Sequence, residues 1–370
     1  MNASLNEVPL VSVIVVNHNG RDLLARFLPS IAKLDYDNYE VIVVDNASTD
    51  DSVSFVTNNY PYFKLIVNTR NLGTAGGSNY GIPHARGEYI LFLSNDMELN
   101  PSLLRLMVQT AESSPDIGIC TCKMRRITPE GEKLSILDSV GGNVDIFGFP
   151  SARGINEPDE GQLDAMSEVF FSFGGAMLIK RKAIDAIGAY DPEFFTLADD
   201  IDLCWRARLA GYKIVVQPKA VLYHRVSATL GTKFSRSKKR YWSERNTFRM
   251  LLKNCSSSTL AELLPLYFGL LMFEMALFLV LRKTSLTIAY LRAMLWNLYN
   301  FKDTWTRHIA IQERRVVSDK DIQKMMYRKS FKIKILKEFL ETRKDMSWRI
   351  YFGECSKRVR LEESSDDRIS

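Results

Sequence analysis

The chain has 370 residues, a net charge of +6 and 46% hydrophobic residues, a composition that excludes collagen-like and intrinsically disordered proteins. Its five cysteines are odd in number and widely spaced, which favours reduced thiols in a cytosolic compartment over a disulfide framework. The N-terminal stretch MNASLNEVPLVSVIVVNHNG lacks a basic region and a long apolar run, so we expect no signal peptide.

The charge is unevenly distributed along the chain. Residues 1–232 hold 20 Lys and Arg against 28 Asp and Glu, whereas residues 282–370 hold 21 against 12. Residues 233–253 add eight basic residues and one acidic residue. A nucleic-acid-binding protein needs a basic face on its folded body, so we expect no nucleic-acid partner. A basic tail beside apolar helices fits an anionic membrane surface instead.

Apolar strands and amphipathic helices alternate from Val11 onward. The runs VSVIVVN, YEVIVVD, KLIVN and EYILFLS predict four buried strands. Helical spacing predicts helices over residues 22–33, 50–59, 76–86 and 101–113. This alternation is typical of parallel strands with crossover helices, so we predict a doubly wound α/β sheet.

The pattern weakens between residues 117 and 168, where scattered glycines and prolines predict loops or a mobile flap. The segment SFGGAMLIKRKAIDAIG then predicts a strand and a helix, and residues 213–224 predict two short strands around Pro218. The second half therefore indicates a mixed sheet, parallel at first and partly antiparallel later.

Residues 263–281, LLPLYFGLLMFEMALFLVL, are nearly all apolar and approach the length of a membrane-spanning helix. Glu274 near the centre would cost about 2.5–3.5 kcal/mol in a bilayer. Ile288, Leu291, Leu295 and Leu298 mark one face of a second helix. The region predicts either a membrane-bound hairpin or in-plane helices, or else a helical subdomain packed on the body of the protein.

Polar residues follow three of the predicted strands. The first strand runs into Asn17-His18-Asn19-Gly20, the second into Asp45-Asn46-Ala47-Ser48, and the fourth into Ser94-Asn95-Asp96. Ligands of open α/β sheets bind at the carboxyl ends of strands, so three polar ends in one row predict a binding site. Each end taken singly is equally compatible with an ordinary turn or helix cap.

The loop NLGTAGGSNYG, residues 71–81, enters a predicted helix and contains four glycines. Glycines let backbone amides approach a phosphate, and a helix N-terminus favours an anion. The loop follows the third strand and its spacing differs from G-x-G-x-x-G, so it disfavours a dinucleotide site and leaves a nucleotide possible. Close packing of the helix on the sheet would explain only one or two of the glycines.

Asp96 is the best candidate for a metal ligand, because magnesium is usually held by one or two carboxylates together with substrate phosphate oxygens. His224 ends a predicted strand and is a candidate metal ligand or phosphate contact, although a single histidine is more often structural.

Seven motifs occur in a characteristic order over residues 8–255: VSVIVVNHNG, VIVVDNASTDDS, NLGTAGGSNYG, GEYILFLSNDMELNP, GGAMLIKRKAIDAIGAYDPEFF, ADDIDLCWRARLAGY and AVLYHRVSATLG. Together they resemble glycosyltransferase family 2, in the branch similar to bacterial and archaeal rhamnosyltransferases. RYWSERNTFRMLLKN and the helices after it also resemble the tail of that branch.

The resemblance implies a GT-A fold and inverting transfer from a nucleotide-diphosphate sugar. It places Asp45 on the base or ribose, with the backbone of Val16 and the polar group of His18 in the same pocket. Ser94-Asn95-Asp96 stands where the family has its D-x-D motif, with Asp96 on Mg²⁺ or Mn²⁺; Ser94 replaces the first acid, which predicts less strict metal dependence. The further candidates for donor binding are Asn71, Gly76, Gly77, Asn79 and Arg245.

Asp199-Asp200 stands where the family has Glu-Asp, whose second member is the base. A carboxylate opposite the leaving diphosphate suffices for displacement with inversion, and neighbouring negative charge raises its pKa. We predict Asp200 as the base, with Asp199 modulating it, while Asp202 caps the helix or pairs with Arg206 at i+4. In a helix, Asp199 and Asp202 would share a face. The alternative is an ordinary acidic helix N-terminus, which explains one or two of the three acids.

The sequence therefore predicts a GT-A catalytic domain over residues 1–255, membrane-associating helices over 256–317 and a charged helical tail over 318–370. The predicted enzyme transfers a sugar from a UDP- or dTDP-sugar to a hydroxyl of a glycan or lipid-linked acceptor at the cytoplasmic face of the cell membrane. A non-catalytic nucleotide-sugar-binding scaffold is the alternative, and a nucleotide-linked oxidoreductase is a weaker one. The sugar, the acceptor and the oligomeric state stay open.

Overall fold

The computed structural model describes residues 8–226, 234–334 and 337. The predicted alternation of strands and helices is present in the first part of the chain. The strands are β1 (Val11–Asn17), β2 (Tyr39–Asp45), β3 (Lys64–Val67) and β4 (Tyr89–Ser94). The helices are α1 (Arg21–Ile31), α2 (Ser52–Asn59), α3 (Gly73–Gly81) and α4 (Leu103–Glu112).

These four strands form the parallel half of one sheet, in the order β4, β1, β2, β3. Their register aligns the polar strand ends, since Asn17 lies opposite Asp45 and Val16 lies opposite Ser94. The three polar strand ends therefore meet at one edge of the sheet, as the sequence predicted.

The second part of the chain extends the sheet with antiparallel strands, which confirms the predicted mixed α/β fold. The additional strands are β5 (Met97–Leu99), β6 (Ile117–Ile127), β7 (Lys133–Ser139), β8 (Gly142–Val144), β9 (Pro150–Ala152), β10 (Ser167–Glu168), β11 (Ala176–Lys180) and β12 (Lys213–His224). β11 pairs antiparallel with both β4 and β6, and β12 runs parallel to β6. β8 and β9 form a separate two-stranded hairpin.

Two local predictions were wrong. Residues 117–168 are not mainly loop, because β6 alone has 11 residues; Lys123 interrupts its apolar pattern but is buried against Asp159 at 2.9 Å. Residues 213–224 form one strand, not two. The register of β12 shifts between Gln217 and Val221, where Pro218 supplies no N–H to the ladder.

The core lies on both faces of the sheet. Alternate residues of β1 divide between the faces, with Ile14 in one apolar cluster and Val13 and Val15 in the other. The cluster around Ile14 continues without interruption into the C-terminal helices through Leu263 and Tyr267. The catalytic candidates and the helices are therefore held by one continuous core.

The remaining helices follow β11 and β12. They are α5 (Arg181–Ile187), α6 (Asp199–Leu209), α7 (Arg236–Asn254), α8 (Ser257–Val280), α9 (Thr284–Tyr299), α10 (Phe301–Glu313) and α11 (Asp319–Lys324). Within the described ranges, α8 alone is long and apolar enough to cross a membrane, with a mean hydropathy of 2.1. Of the predicted charged helical tail, residues 318–370, positions 335, 336 and 338–370 lie outside the described residues.

Candidate functional site

A cavity of about 280 Å³ opens at the polar edge of the sheet. It lies at the carboxyl ends of β1 and β4, where open α/β sheets bind ligands. The structure brings nine of the predicted site residues to its wall: Val16, His18, Asn71, Ser94, Asn95, Asp96, Asp199, Asp200 and His224.

Four predicted donor-binding residues support the cavity without lining it. The carboxylate of Asp45 is buried and accepts hydrogen bonds from Asn17 Nδ2 at 3.0 Å and from Ser48 Oγ at 2.6 Å. Asn79 is engaged with the backbone of Tyr190, donating to its carbonyl and accepting from its N–H.

Gly76 and Gly77 act through the space they leave. A Cβ on Gly77 would lie 2.7 Å from Val16 Cγ1 and 2.8 Å from Asn46 Nδ2, so glycine lets α3 approach β1 closely. A Cβ on Gly76 would meet Leu72 of the same turn at 2.6 Å. These two glycines thus serve helix packing, and their predicted role in donor binding stays a prediction.

Arg245 does not reach the cavity, which corrects the prediction that it contacts the donor. Its guanidinium stacks 4.5 Å from the ring centroid of Trp296 and donates to the backbone carbonyl of Glu193 at 2.6 Å. The basic stretch of α7 gave no sign of this, because the contact depends on how the helix is rotated against α9.

His224 lies between two carboxylates at the cavity wall. Its Nδ1 is 2.7 Å from Asp138 Oδ2 and its Nε2 is 3.6 Å from Asp96 Oδ2. Burial alone would lower the pKa of His224, but the charges of Asp96 and Asp138 raise it to about 10. Asp138 thereby fixes the orientation of the ring and directs Nε2 towards Asp96.

The residues present fit a divalent cation. Asp96 Oδ1 is buried and has no hydrogen-bond partner, so one carboxylate oxygen at the cavity wall is left for another ligand. Across the described residues, no group of three or more His, Cys, Asp or Glu has the geometry of a complete metal site. Asp96 therefore supplies one ligand of the kind that magnesium or manganese completes with phosphate oxygens and water, and His224 would join it only as the neutral imidazole, because its protonated ring has no free lone pair.

The acidic start of α6 is held by an unusual backbone. Leu197 and Ala198, directly before Asp199, have φ angles of +70° and +62°. Such left-handed non-glycine residues cost about 1–3 kcal/mol each and occur where the surroundings enforce them. Asn246 of α7 enforces them here, since its Nδ2 donates to the carbonyls of Thr196 and Leu197, both at 2.8 Å.

The pair Gly174-Gly175 connects Asp200 to the end of β4, just before the candidate metal ligand Asp96. The N–H of Gly174 donates to Asp200 Oδ2 at 3.0 Å, and the carbonyl of Gly175 accepts from the N–H of Ser94 at 3.0 Å. A Cβ on Gly174 would lie 3.3 Å from Asp200 Cβ. The pair therefore positions Asp200 and the segment Ser94-Asn95-Asp96 at one cavity.

The two carboxyls of α6 that line the cavity, those of Asp199 and Asp200, are hard to ionise. Burial raises the pKa of Asp199, and the charge of Asp200 raises it further. Burial also raises the pKa of Asp200, opposed by the hydrogen bond from the N–H of Gly174. One carboxylate and one carboxylic acid are the favoured state of this pair, because two adjacent buried negative charges repel each other.

The third acid of the cluster has a structural role. Asp202 Oδ2 accepts from Arg206 Nε at 3.0 Å, which confirms the predicted i+4 pair, and Oδ1 lies 2.9 Å from Lys253 Nζ. Asp202 is fully buried and does not line the cavity, whereas Asp199 of the same helix does.

Several cavity residues were missed by the sequence analysis. Asp138 lies within β7, in the region predicted to be loop, so no motif marked it. The aromatic side chains of Phe195 and Phe234 also line the cavity and approach each other edge to face, with centroids 6.5 Å apart. Gly174 and Gly175 were visible as a Gly-Gly pair before a strand, which is a sign of close backbone approach.

Two family models match the chain. The model described as Glycosyl transferase family 2 matches residues 12–188, and the model described as Glycosyl transferase family group 2 matches residues 156–305. Together they span the sheet, the cavity and the helices up to α10.

Curated relatives include poly-beta-1,6-N-acetyl-D-glucosamine synthases. The protein of Staphylococcus aureus (strain MSSA476) is 24% identical over 279 residues, which cover 73% of this chain and 62% of the relative. The Staphylococcus epidermidis protein is 25% identical over 276 residues, covering 72% and 61%. The chain thus matches less than two thirds of the length of these relatives.

Two solved structures share the fold. One is the crystal structure of GalNAc-T7 with UDP, GalNAc and Mn²⁺, with a TM-score of 0.52 and 17% identity over 67% of this chain and 48% of that chain. The other is a mannosyltransferase from Pyrobaculum calidifontis in complex with GDP-Man and Mn²⁺, with a TM-score of 0.50 and 19% identity over 80% and 88%.

Proposed function

Because the chain belongs to glycosyltransferase family 2 and has the GT-A fold, we propose that it is an inverting glycosyltransferase. It takes a hexosyl or deoxyhexosyl group from a UDP- or dTDP-sugar. The acceptor is a hydroxyl of a glycan or a lipid-linked glycan, in the assembly of cell-surface polysaccharide or glycoprotein glycan. The rhamnosyltransferase-like branch indicated by the motifs remains part of this proposal.

The observation that carries the proposal is that Asp96 and Asp200 line one cavity. The reaction needs a site for the leaving diphosphate and a base for the incoming hydroxyl, and both groups must act on one sugar ring. Asp96 has a buried carboxylate oxygen without a partner, and Asp200 is tied to the neighbouring strand through Gly174 and Gly175. The required groups are thus available at one place.

Asp200 is the proposed base. An acceptor hydroxyl becomes an effective nucleophile when it loses its proton during attack, and a carboxylate of raised pKa accepts that proton efficiently. Before the reaction Asp199 keeps the single proton of the pair, so Asp200 is the ionised carboxylate beside a neutral carboxyl. The strained turn before α6 fixes both side chains in position.

Val16, His18 and Asn71 line the proposed donor side, and Asp45 orders the end of β2 beneath it. Asp96 and His224 would hold Mg²⁺ or Mn²⁺, which would neutralise charge on the departing diphosphate. The Mn²⁺ and nucleotides in the two structures of the same fold support this assignment. Ser94 and Asn95 complete the wall beside Asp96.

The acceptor side is proposed to lie where the segment 125–170 meets the cavity. Ser139, Pro150 and Ala152 reach the cavity from this segment, while Asp138 of the same segment contacts His224. We further propose that the enzyme works at the cytoplasmic face of the cell membrane, where the apolar helix α8 favours a lipid surface.

Donor hydrolysis tests the proposal against a binding scaffold. The purified chain is incubated with UDP- and dTDP-sugars, with and without a glycan acceptor, and released nucleotide diphosphate is measured. Slow release without acceptor and faster release with it are expected. Binding of a nucleotide sugar with no release under any condition would instead identify a non-catalytic scaffold.

A further inference from the structure

The outer face of α8 and α9 carries a continuous apolar surface. On α8 the residues that pack inward recur at helical spacing: Leu260, Leu263, Tyr267, Leu271 and Glu274. The opposite side is exposed, and Met272 and Val280 have 64% and 80% of their surface accessible. We call this surface the outer face; its exposed members are Leu266, Phe268, Met272, Phe273, Leu279, Val280, Leu281, Ile288, Leu291, Leu295, Leu298 and Tyr299.

The outer face spans two helices that pack against each other. The ring centroids of Phe278 on α8 and Tyr290 on α9 lie 5.9 Å apart. Ile288, Leu291 and Leu295 recur along the exposed side of α9. Scattered exposed apolar residues are normal on soluble proteins, but twelve of them clustered on two packed helices mark an interaction site.

The charges around the outer face identify its occupant. Exposed basic side chains lie at the turn between the helices, on α9 and at the start of α10: Arg282, Arg292 and Lys302, with the half-buried Lys283 beside them. From residue 263 to residue 302, Glu274 is the only acidic side chain, and it is buried. An apolar face bordered by cations is complementary to anionic phospholipid, whose headgroups attract the cations while the acyl chains cover the apolar side chains.

Glu274 shows how α8 is oriented. Its carboxylate accepts from Tyr290 Oη at 3.0 Å and pairs with Lys332 Nζ at 2.7 Å, and Lys332 also pairs with Glu244 of α7 at 2.8 Å. A helix crossing the bilayer on its own would have to break this cluster and carry a carboxylate into hydrocarbon. A helix lying in the interface keeps the cluster intact and buries only the outer face.

We infer that the outer face inserts into an anionic phospholipid surface with α8 and α9 lying in the plane of the interface, so that both ends of α8 stay on the same side. This inference deepens the membrane location within the proposed function, because it names the lipid class and the mode of attachment. The cavity, which lies on the sheet, would then face lipid-linked acceptors at the surface without entering the bilayer.

Vesicle flotation tests the lipid partner. The full chain is mixed with vesicles of phosphatidylcholine alone or with phosphatidylglycerol, at low and at high salt. We expect binding that increases with phosphatidylglycerol and falls with salt. The double variant Leu291→Gln/Leu295→Gln should bind on the order of tenfold more weakly, since two apolar side chains leave the interface. Val67→Gln is the matched control, because Val67 is 52% exposed on a strand far along the chain from α8.

Cysteine labelling tests the mode of attachment. Cys355 is replaced by Ser, and single cysteines are introduced at Ser258, in the first turn of α8, and at Ser285, beyond the other end of α8 at the start of α9. The native Cys120, Cys122, Cys204 and Cys255 are buried. A membrane-impermeant maleimide added outside the vesicles should react with both sites. Protection of one site until detergent is added would overturn the in-plane arrangement and establish a spanning helix.

A second copy of the chain is the competing occupant. Equal binding of the double variant and the control to vesicles, together with a dimer that the double variant converts to a monomer in sedimentation, would overturn the lipid proposal. Donor hydrolysis is measured in detergent on the same samples. Its retention in a variant that no longer binds vesicles separates failure of the membrane inference from failure of the proposed function.

Discussion

At the scale of single residues, the three acids of α6 have different surroundings although they occupy four consecutive positions. Asp199 and Asp200 line the cavity, whereas Asp202 is buried between Arg206 and Lys253. Burial opposes ionisation of Asp202, but its basic partners hold its pKa below the usual range; within the described ranges Asp199 and Asp200 have no such partner, and their pKa values rise. Only the first two acids are therefore suited to take up a proton.

The base assignment predicts the behaviour of Asp200→Asn. The amide keeps the size of the side chain but accepts a proton far less readily, so transfer should fall by about 10²–10⁴-fold. Donor affinity, measured by calorimetry, should change little because the donor side of the cavity is intact. Asp22→Asn is the control, since this acid is exposed and its ion pair in the described part of the chain is with Arg21. Turnover near the original rate in Asp200→Asn would remove the base assignment.

The raised pKa values predict the dependence of activity on pH. Asp200 acts only when ionised, so the transfer rate should fall as the pH is lowered through its raised pKa. The midpoint should lie above the ordinary aspartate value of about 3.9, because burial disfavours the ionised form. A rate profile at saturating donor measures this midpoint. A profile that stays flat down to about pH 4 would contradict the assignment.

The raised pKa values of Asp199 and Asp200 also affect the stability of the fold. The transfer rate should increase with pH, whereas the stability contributed by these carboxyls should decrease. A carboxyl whose pKa is raised by folding contributes stability that is complete below its unfolded value and is lost as the pH rises through its folded value. Thermal unfolding of the wild type and of Asp199→Asn should therefore converge at low pH. At higher pH the variant should unfold at the higher temperature, because it no longer buries a charge beside Asp200.

At the scale of elements, two contacts decide how the cavity is built: the approach of α3 to the segment before α6, and the ion network between α6 and α7. Gly73 has a φ of +72°, and a Cβ there would lie 2.0 Å from the carbonyl oxygen of Phe195. The N–H of Thr74 donates to that same carbonyl at 2.8 Å. The start of α3 thus rests directly on the segment that leads to Asp199.

Gly73→Ala should therefore destabilise the protein by roughly 2 kcal/mol or more, since both the backbone angle and the contact with Phe195 become unfavourable. Donor affinity should fall with it, because both segments line the cavity. Gly269→Ala is the matched control: nothing lies within 4 Å of its Cβ position in the exposed side of α8. This change should stabilise by about 0.5–1 kcal/mol. Thermal unfolding of both variants measures the difference, and equal effects would contradict the packing argument.

The ion network between α6 and α7 centres on Asp191. Its carboxylate pairs with Arg249 at 2.8 Å and with Lys253 at 2.6 Å, and Lys253 also pairs with Asp202. Burial opposes ionisation of Asp191, but these two cations hold its pKa well below the usual range. The network connects the helix that carries Asp199 and Asp200 to the C-terminal helices.

Asp191→Asn should cost about 3 kcal/mol, because two buried cations lose a shared counter-charge. Asp321→Asn is the control, since its pair with Lys324 is exposed and worth about 0–1 kcal/mol. Chemical denaturation at neutral pH measures both values. Stability within about 1 kcal/mol of the wild type in Asp191→Asn would show that the cations find other partners.

At the scale of the whole molecule, the sheet positions the cavity of the proposed reaction, and α8 and α9 carry the outer face that is proposed to bind lipid. The apolar core runs without interruption from the sheet into α8 and α9, so the cavity and the outer face belong to one packed structure. The division into residues 1–255, 256–317 and 318–370 is thus proposed as a division of tasks within one packed structure.

Ligand linkage tests this arrangement on the complete protein. A nucleotide sugar that binds the folded state at 100 times its dissociation constant should stabilise it by about 2.7 kcal/mol, which raises the unfolding temperature. We expect UDP- or dTDP-sugars to raise it in the presence of Mg²⁺ or Mn²⁺, and EDTA to reduce both this shift and the transfer rate. An unchanged shift and full activity in EDTA would argue against Asp96 as a metal ligand.

The sequence by itself determined the fold and the edge of the sheet where the cavity lies. Runs such as VSVIVVN and YEVIVVD specify parallel buried strands, and parallel strands bring their polar ends to the same edge. The position of Asp96 and Asp200 at this edge followed from the motifs and needed no knowledge of side-chain packing.

Only the tertiary structure decided which side chains meet there. Asp138 lies 86 residues from His224 in the chain, and Arg245 turns away from the cavity to stack on Trp296. Likewise, the nearly all-apolar sequence of α8 did not show which of its sides is exposed. The buried ion pair between Glu274 and Lys332 identifies the inward side, and the outer face lies opposite to it. The physical reason is that periodicity specifies an element and its apolar side, whereas the rotation of one element against another is fixed by packing between residues distant in sequence.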